Sequence, residues 1–161
     1  MKILIYDTET TGLIPGNICQ LSYIVKDSEA ISAKNFYFKV SYVEPGAQRV
    51  HGLSVKMLDK LSNNKRFADA CNEIKSDFEA ADIVVSHNYD FDNRFLAAEF
   101  SKCNQTVKLK NGFCTMKYFT PICKIQGKRA GYKYPRLEEL AHYFNVNDKE
   151  IEKRNKVPLK Y

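Results

Sequence analysis

The sequence predicts an α/β protein: a mixed central sheet, an antiparallel meander joined to parallel strands, with helices packed on it. Three observations carry this. A short β-branched run opens the chain at Lys2 to Tyr6, alternating segments follow it, and from residue 54 onward helical and strand patterns take turns. The chain has 161 residues, of which 44% are apolar. That length suits one compact domain over 1–161.

Lys2 to Tyr6 reads as a buried strand running into Asp7. Cys19 to Lys26 and Lys34 to Val43 alternate, most clearly through Phe36, Phe38 and Val40, with Asp27 to Ala30 as the turn between them. Glu44-Pro45-Gly46 reads as a break. Two helices are predicted after it, Ser54 to Leu61 and Arg66 to Ala80, the second carrying an apolar stripe of Phe67, Ala70, Cys71, Ile74 and Phe78. Asp82 to Ser86 is short and apolar, as a central strand would be. Helical spacing resumes from Tyr89 to Lys102 through Phe91, Phe95, Leu96 and Phe100, and shorter helices are predicted at Thr115 to Phe119 and Arg136 to Phe144.

No apolar run approaches the roughly 20 residues that a bilayer span needs. The five cysteines, at 19, 71, 103, 114 and 123, form no C-x-x-C pair and read as reduced thiols of an intracellular, cytoplasmic protein with no membrane partner. The net charge of +6 is unevenly placed. Residues 1–100 hold 11 Lys and Arg against 14 Asp and Glu, whereas residues 101–161 hold 14 against 5. Between Glu99 and Glu138 there is no acidic residue, and nine basic ones occur: Lys102, Lys108, Lys110, Lys117, Lys124, Lys128, Arg129, Lys133 and Arg136. Phe113, Tyr118, Phe119, Tyr132 and Tyr134 are interleaved with them. A phosphate backbone suits the charges and unpaired bases suit the rings, so nucleic acid is the expected partner; a solvated basic surface with core aromatics is the competing reading.

Asp7 and Glu9 are two apart at the end of the first strand, so extended backbone points both carboxylates to one face. Two like charges in one small volume call for a proton or a hard divalent cation, Mg²⁺ or Mn²⁺. The bland alternative is a polar turn before Gly12. A second polar cluster, His87, Asn88, Asp90 and Asp92, falls where the strand ending at Ser86 passes into the next helix, a usual ligand position in α/β sheets. If strands 2–6 and 82–86 are neighbours, a third carboxylate from this cluster converges on Asp7; spacing alone does not choose between Asp90 and Asp92.

Taken together, Asp7-Thr-Glu-Thr-Thr-Gly-Leu13, His51-Gly-Leu-Ser54, His87-Asn-Tyr-Asp-Phe-Asp92 with Phe95-Leu96, and Cys114-Thr115 closely resemble the DEDD (DnaQ-like) superfamily of 3′→5′ exonucleases. Within it the DNA polymerase III epsilon, or proofreading-subunit, branch is the nearest likeness, over roughly residues 1–150. The resemblance implies a ribonuclease H-like fold and hydrolysis of the 3′-terminal phosphodiester with two metal ions. It selects Asp92 over Asp90. Asp7 resembles the carboxylate that bridges both metals, Glu9 a ligand of the metal carrying the attacking water, and Asp92 the third motif carboxylate. Leu13, Val50, His51 and Phe91 stand where family members pack on the terminal nucleotide, and Thr10 where the backbone bends around it.

The resemblance also implies a fourth carboxylate late in the chain, preceded by a histidine five positions earlier or a tyrosine four positions earlier. Neither pattern occurs. His142 to Asp148 is six positions, and His142 reads as a packed histidine between Leu140 and Phe144; Asp148, Glu150 and Glu152 are distant substitutes. The expectation is therefore a domain without the last motif and its helix, with weak or absent turnover and one apolar face of the sheet left open. The alternatives from other classes are a non-catalytic nucleic-acid-binding module and a polymerase accessory subunit. DNA 3′ ends are the expected substrate, with RNA left open.

Overall fold

The computed structural model describes residues 1–28, 30–128 and 130–146. Its five-stranded sheet has the order β3-β2-β1-β4-β5, from β1 (Lys2–Thr10), β2 (Ile18–Asp27), β3 (Ala30–Tyr37), β4 (Ile83–Ser86) and β5 (Gly112–Cys114). β1, β2 and β3 form the predicted antiparallel meander, while β4 pairs parallel with β1 and β5 parallel with β4. The helices are α1 (Pro45–His51), α2 (Val55–Leu61), α3 (Phe67–Ala80), α4 (Tyr89–Lys102), α5 (Thr115–Cys123) and α6 (Leu137–Tyr143).

Alternation along β1 divides its side chains. Leu4, Tyr6 and Thr8 are buried, while Ile5 and Asp7 are exposed on the other side. The buried row meets Leu21, Tyr23, Val84 and the stripes of α3 and α4, with Ile74, Phe78, Phe95 and Phe100 fully enclosed. Edge-to-face contacts of Phe78 with Tyr6 and Tyr23, centroids 5.1 and 5.5 Å apart, and of Phe67 with Phe100 at 5.4 Å tie the helices to the sheet. Glu99 is the charged exception in this layer. Its Oε1 accepts the Ile18 backbone N–H at 2.8 Å and its other oxygen lies 3.3 Å from Lys102 Nζ, which satisfies a carboxylate that burial would otherwise make costly. A smaller second core joins Cys19, Val40, Val43, Leu53 and Leu58.

Three sequence expectations change. The break at Glu44-Pro45-Gly46 is a helix start: Pro45 opens α1, where its missing N–H is no loss, and Gly52 ends it in the left-handed conformation, φ 77°, with its N–H bonded to Gln48 O at 2.8 Å. The third strand runs Ala30–Tyr37 rather than 34–43, because after the Phe38 N–H to Cys19 O bond the chain leaves the sheet and Val40 and Val43 turn into the second core. His142 is exposed rather than packed, since α6 is a seven-residue helix that buries only Leu140. On the face of β1 opposite Leu4 and Tyr6, Ile5 is 48% exposed among the described residues. Asp148, Glu150 and Glu152 lie outside the described residues.

Candidate active site

β1 supplies two of the carboxylates. Its register against β2 shifts between Glu9 and Thr10, an irregularity that bends the strand immediately after Glu9. Beyond it, Thr10 is buried with its Oγ1 donating to Gly12 O at 2.8 Å, and Thr11 N–H bonds Asn17 O at 2.9 Å, so the 10–17 turn curls back beside the sheet. Parallel pairing of Leu4 with Val84 places the end of β4 beside β1. The chain then turns through Asn88, left-handed at φ 78°, a conformation that asparagine tolerates better than most residues, and α4 begins.

Asp92, on the first turn of α4, is only 3% exposed, and Thr8 Oγ1 donates a 2.6 Å hydrogen bond to its Oδ1. Asp90 faces outward and pairs with Lys117. Of the two, Asp92 is the one that turns toward β1. Burial, reinforced by the charges of Asp7 and Asp92, raises the Glu9 carboxyl to about 7, and burial together with Asp7 raises Asp92 to about 7. The three carboxylates therefore share one electrostatic environment. Among the described residues no three His, Cys, Asp or Glu side chains already stand as a closed cage for an ion. The donor set nevertheless fits a hard cation, since all three are oxygen ligands and burial with mutual repulsion makes two of them resist ionisation.

A cleft of about 350 Å³ opens beside these groups between the 8–13 segment, α1 and Phe91. Leu13 and Val50 line it at 77% and 85% exposure, two apolar side chains presented to solvent. Phe91 is half-buried, its ring 4.9 Å from that of Phe95 and capped by the Arg94 guanidinium at 5.8 Å. His51 braces the wall: Nε2 lies 3.2 Å from Thr10 O and Nδ1 accepts the Leu53 N–H at 3.0 Å, so the ring is neutral and Nε2 carries the proton. Burial lowers its pKa, which keeps it so. Hence all eight residues named from the sequence sit at this one end of the sheet: Asp7, Glu9 and Asp92 below, and Thr10, Leu13, Val50, His51 and Phe91 around the cleft.

Two neighbours escaped the sequence reading. Glu44 lines the cleft with its carboxylate over Gly12, so close that a Cβ on Gly12 would meet Oε1 at 2.2 Å. As a lone charge beside a proline it carried no signal. Thr8, the Asp92 donor, belongs to the stretch that also reads as a polar turn before Gly12, yet it alternates inward between Asp7 and Glu9. His87, noted only as part of a polar cluster, is a tie: Nε2 donates to Pro135 O at 3.0 Å and Nδ1 lies 2.9 Å from Thr115 Oγ1, joining the end of β4 to the segments before α5 and α6.

A mixed sheet with acidic residues on its central strand, opposed by an acid from α4 beside a cleft of about 350 Å³, defines the ribonuclease H-like exonuclease fold. The same fold is seen in product-bound exonuclease I, with a TM-score of 0.76 at 18% identity over 91% of this chain and 39% of that one. It is seen again in Escherichia coli exonuclease I in complex with a dT13 oligonucleotide, with a TM-score of 0.71 at 21% identity over 88% of this chain and 35% of that one. Residues 4–150 match the RNase T exonuclease family, and the chain belongs to it, as a DEDD-type, DnaQ-like exonuclease. Among curated relatives, the DNA polymerase III subunit epsilon of Rickettsia conorii is 32% identical over 119 residues, 68% of this chain and 49% of that protein. That of Buchnera aphidicola is 29% identical over 126 residues, 71% and 51% respectively. The chain spans about half the length of these relatives.

Among the described residues, no helix is long and apolar enough to cross a membrane.

Proposed function

We propose that the chain is a single-domain 3′→5′ exonuclease of the proofreading type, acting on single-stranded or frayed DNA ends with two divalent cations, Mg²⁺ or Mn²⁺, at Asp7, Glu9 and Asp92. The observation that carries this is the raised pKa of Glu9 and Asp92 beside Asp7, at the foot of a cleft with exposed apolar walls. When bound there, the cations would acidify the attacking water, hold the phosphate in line and neutralise the leaving 3′ oxygen.

The chain's own residues supply the rest. Asp7 and Glu9 project from a strand held on both sides, by β2 and β4, and Thr8 fixes Asp92 by its hydrogen bond, so the ligands reach a ready geometry at little reorganisation cost. Leu13 and Val50 would flank the terminal base, whose sequence-independent apolar faces suit them, and Phe91 would pack on the sugar. His51 holds the Thr10 carbonyl and so the bend of the backbone around the nucleotide. Burial lowers its pKa, which favours the neutral ring there. A polymerase subunit is the proposed protein partner, by analogy with the epsilon relatives.

The test is degradation of a single-stranded oligonucleotide labelled at either end, with Mg²⁺ and then Mn²⁺, beside Asp7→Ala. Metal-dependent shortening from the 3′ end that the variant abolishes is the expected result. Shortening from the 5′ end, or shortening that Asp7→Ala leaves intact, would overturn the reading.

A further inference from the structure

We infer that residues 124–128 and 130–136 belong to an arm that grips single-stranded nucleic acid behind its 3′ end, an inference that rests on the exonuclease reading. The structure sorts eight of the nine basic residues of the acid-free stretch into two sets. Lys102, Lys110, Lys117 and Lys133 are committed to Glu99, Asp82, Asp90 and Glu139 and hold the fold together. Lys108, Lys124, Lys128 and Arg136 are exposed and make no ion pair among the described residues. The last three share one short segment.

The rings sort in the same way. Phe113, Tyr118, Phe119 and Phe144 pack on one another around α5 and α6. Tyr132 and Tyr134, at 46% and 59% exposure, join no ring pair among the described residues. The segment is a hairpin: Gln126 bridges Tyr132, Gly127 N–H bonds Gly131 O at 3.1 Å, and Lys133 N–H bonds Ile125 O at 2.9 Å. Gly131, at φ 106°, allows the reversal. Extended backbone places Tyr132 and Tyr134 on one side and Lys133 on the other, where it meets Glu139. Two rings on one side of a strand with free cations beside them match the π-faces and phosphates of an unpaired strand.

The arm is also aimed. A two-stranded hairpin is only marginally stable alone, and this one is moored through fully buried Pro135, whose carbonyl accepts the His87 N–H at 3.0 Å. His87 directly follows β4 and leads in five residues to Asp92. The arm therefore rises from the end of the sheet that carries the carboxylates.

The experiment measures binding by the full chain without divalent cations, using a thymidylate oligomer about twelve nucleotides long, a uridylate oligomer, a blunt duplex and thymidine 5′-monophosphate. The variants are Lys128→Gln, Tyr132→Ala with Tyr134→Ala, and the matching pair of Tyr→Phe changes. Expected are a roughly tenfold loss of oligomer affinity in the alanine pair, retained affinity in the phenylalanine pair, and a salt slope reduced by about 0.7 in Lys128→Gln, all with unchanged mononucleotide binding. The same pattern with uridylate supports the arm and widens its ligand to RNA. Unchanged oligomer affinity in the alanine pair, or duplex bound as well as single strand, overturns the arm while mononucleotide binding keeps the exonuclease reading alive. Binding of neither oligomer nor mononucleotide removes both.

Discussion

Thr8 Oγ1 and Asp92 Oδ1, 84 residues apart in sequence, meet at 2.6 Å in the buried layer between β1 and α4. One hydroxyl thus couples the strand that bears Asp7 and Glu9 to the helix that bears the third carboxylate. Thr8→Val keeps the shape and removes the donor. A buried acceptor left without its partner costs about 1–3 kcal/mol. Thermal unfolding should show that loss, and the Mn²⁺ concentration for half-maximal binding should rise, because Asp92 is no longer fixed in place. An unchanged metal requirement would mean that the bond serves stability alone.

The raised carboxyls make a signed prediction. Glu9 and Asp92 titrate near 7 when folded and near 4 when unfolded, so the folded state holds the extra protons. In chelator, their effect on stability is most favourable below pH about 4 and is lost as pH rises through about 7. Above that, divalent cations should restore stability. Melting curves between these limits, with and without Mg²⁺, check this. Asp7→Asn removes a charge that raises both groups and should flatten the metal-free pH dependence while weakening the response to the ion.

Two glycines separate flexible from rigid neighbours. In Gly112→Ala the new methyl would lie 2.3 Å from Tyr89 Cζ, and that ring packs edge-on against Tyr6, so a loss of about 1–3 kcal/mol is expected. In Gly12→Ala the obstacle is the Glu44 carboxylate, which can swing away. Stability should hardly move, whereas mononucleotide affinity should change, because Glu44 shapes the cleft. Denaturant midpoints and nucleotide binding on both variants distinguish the cases.

His87→Ala deletes both ends of a tie. Amide exchange should accelerate in 124–136 and α6 while β1 and β2 keep their protection. Uniform acceleration across the sheet would instead show that the histidine supports the whole fold.

How far the sequence spoke depended on how many residues shared each pattern. The stripes of α3 and α4 repeat over three or more turns, and β1 alternates between core and solvent, so those elements and the shared face of Asp7 and Glu9 were plain. β5 has three residues, too few for any period, and went unseen. α1 was hidden by Pro45 and Gly46, which punctuate a strand but are acceptable in a first helical turn. Asp90 and Asp92 could not be told apart because a helix begins between β4 and both of them, and the turn at Asn88 sets which one swings inward. Charge counting showed that the region after Glu99 is basic; only the fold shows which lysines are already spent on Asp82, Asp90, Glu99 and Glu139.

The parallel pairing of Ile3–Ile5 with Ile83–Val85 also sets when the acidic cluster can exist. The antiparallel meander can close locally as soon as β1, β2 and β3 are available, but β1 must wait for β4, and the loop entropy of some eighty residues has to be overcome first. During synthesis Asp7 and Glu9 leave the ribosome early and stand without Asp92 until α4 emerges. Assembly of the carboxylates is thus a late event, coincident with the global folding transition rather than with any one supersecondary unit. A ligand that draws the three together would slow global unfolding, and its mark would be found in the unfolding rate of the entire domain.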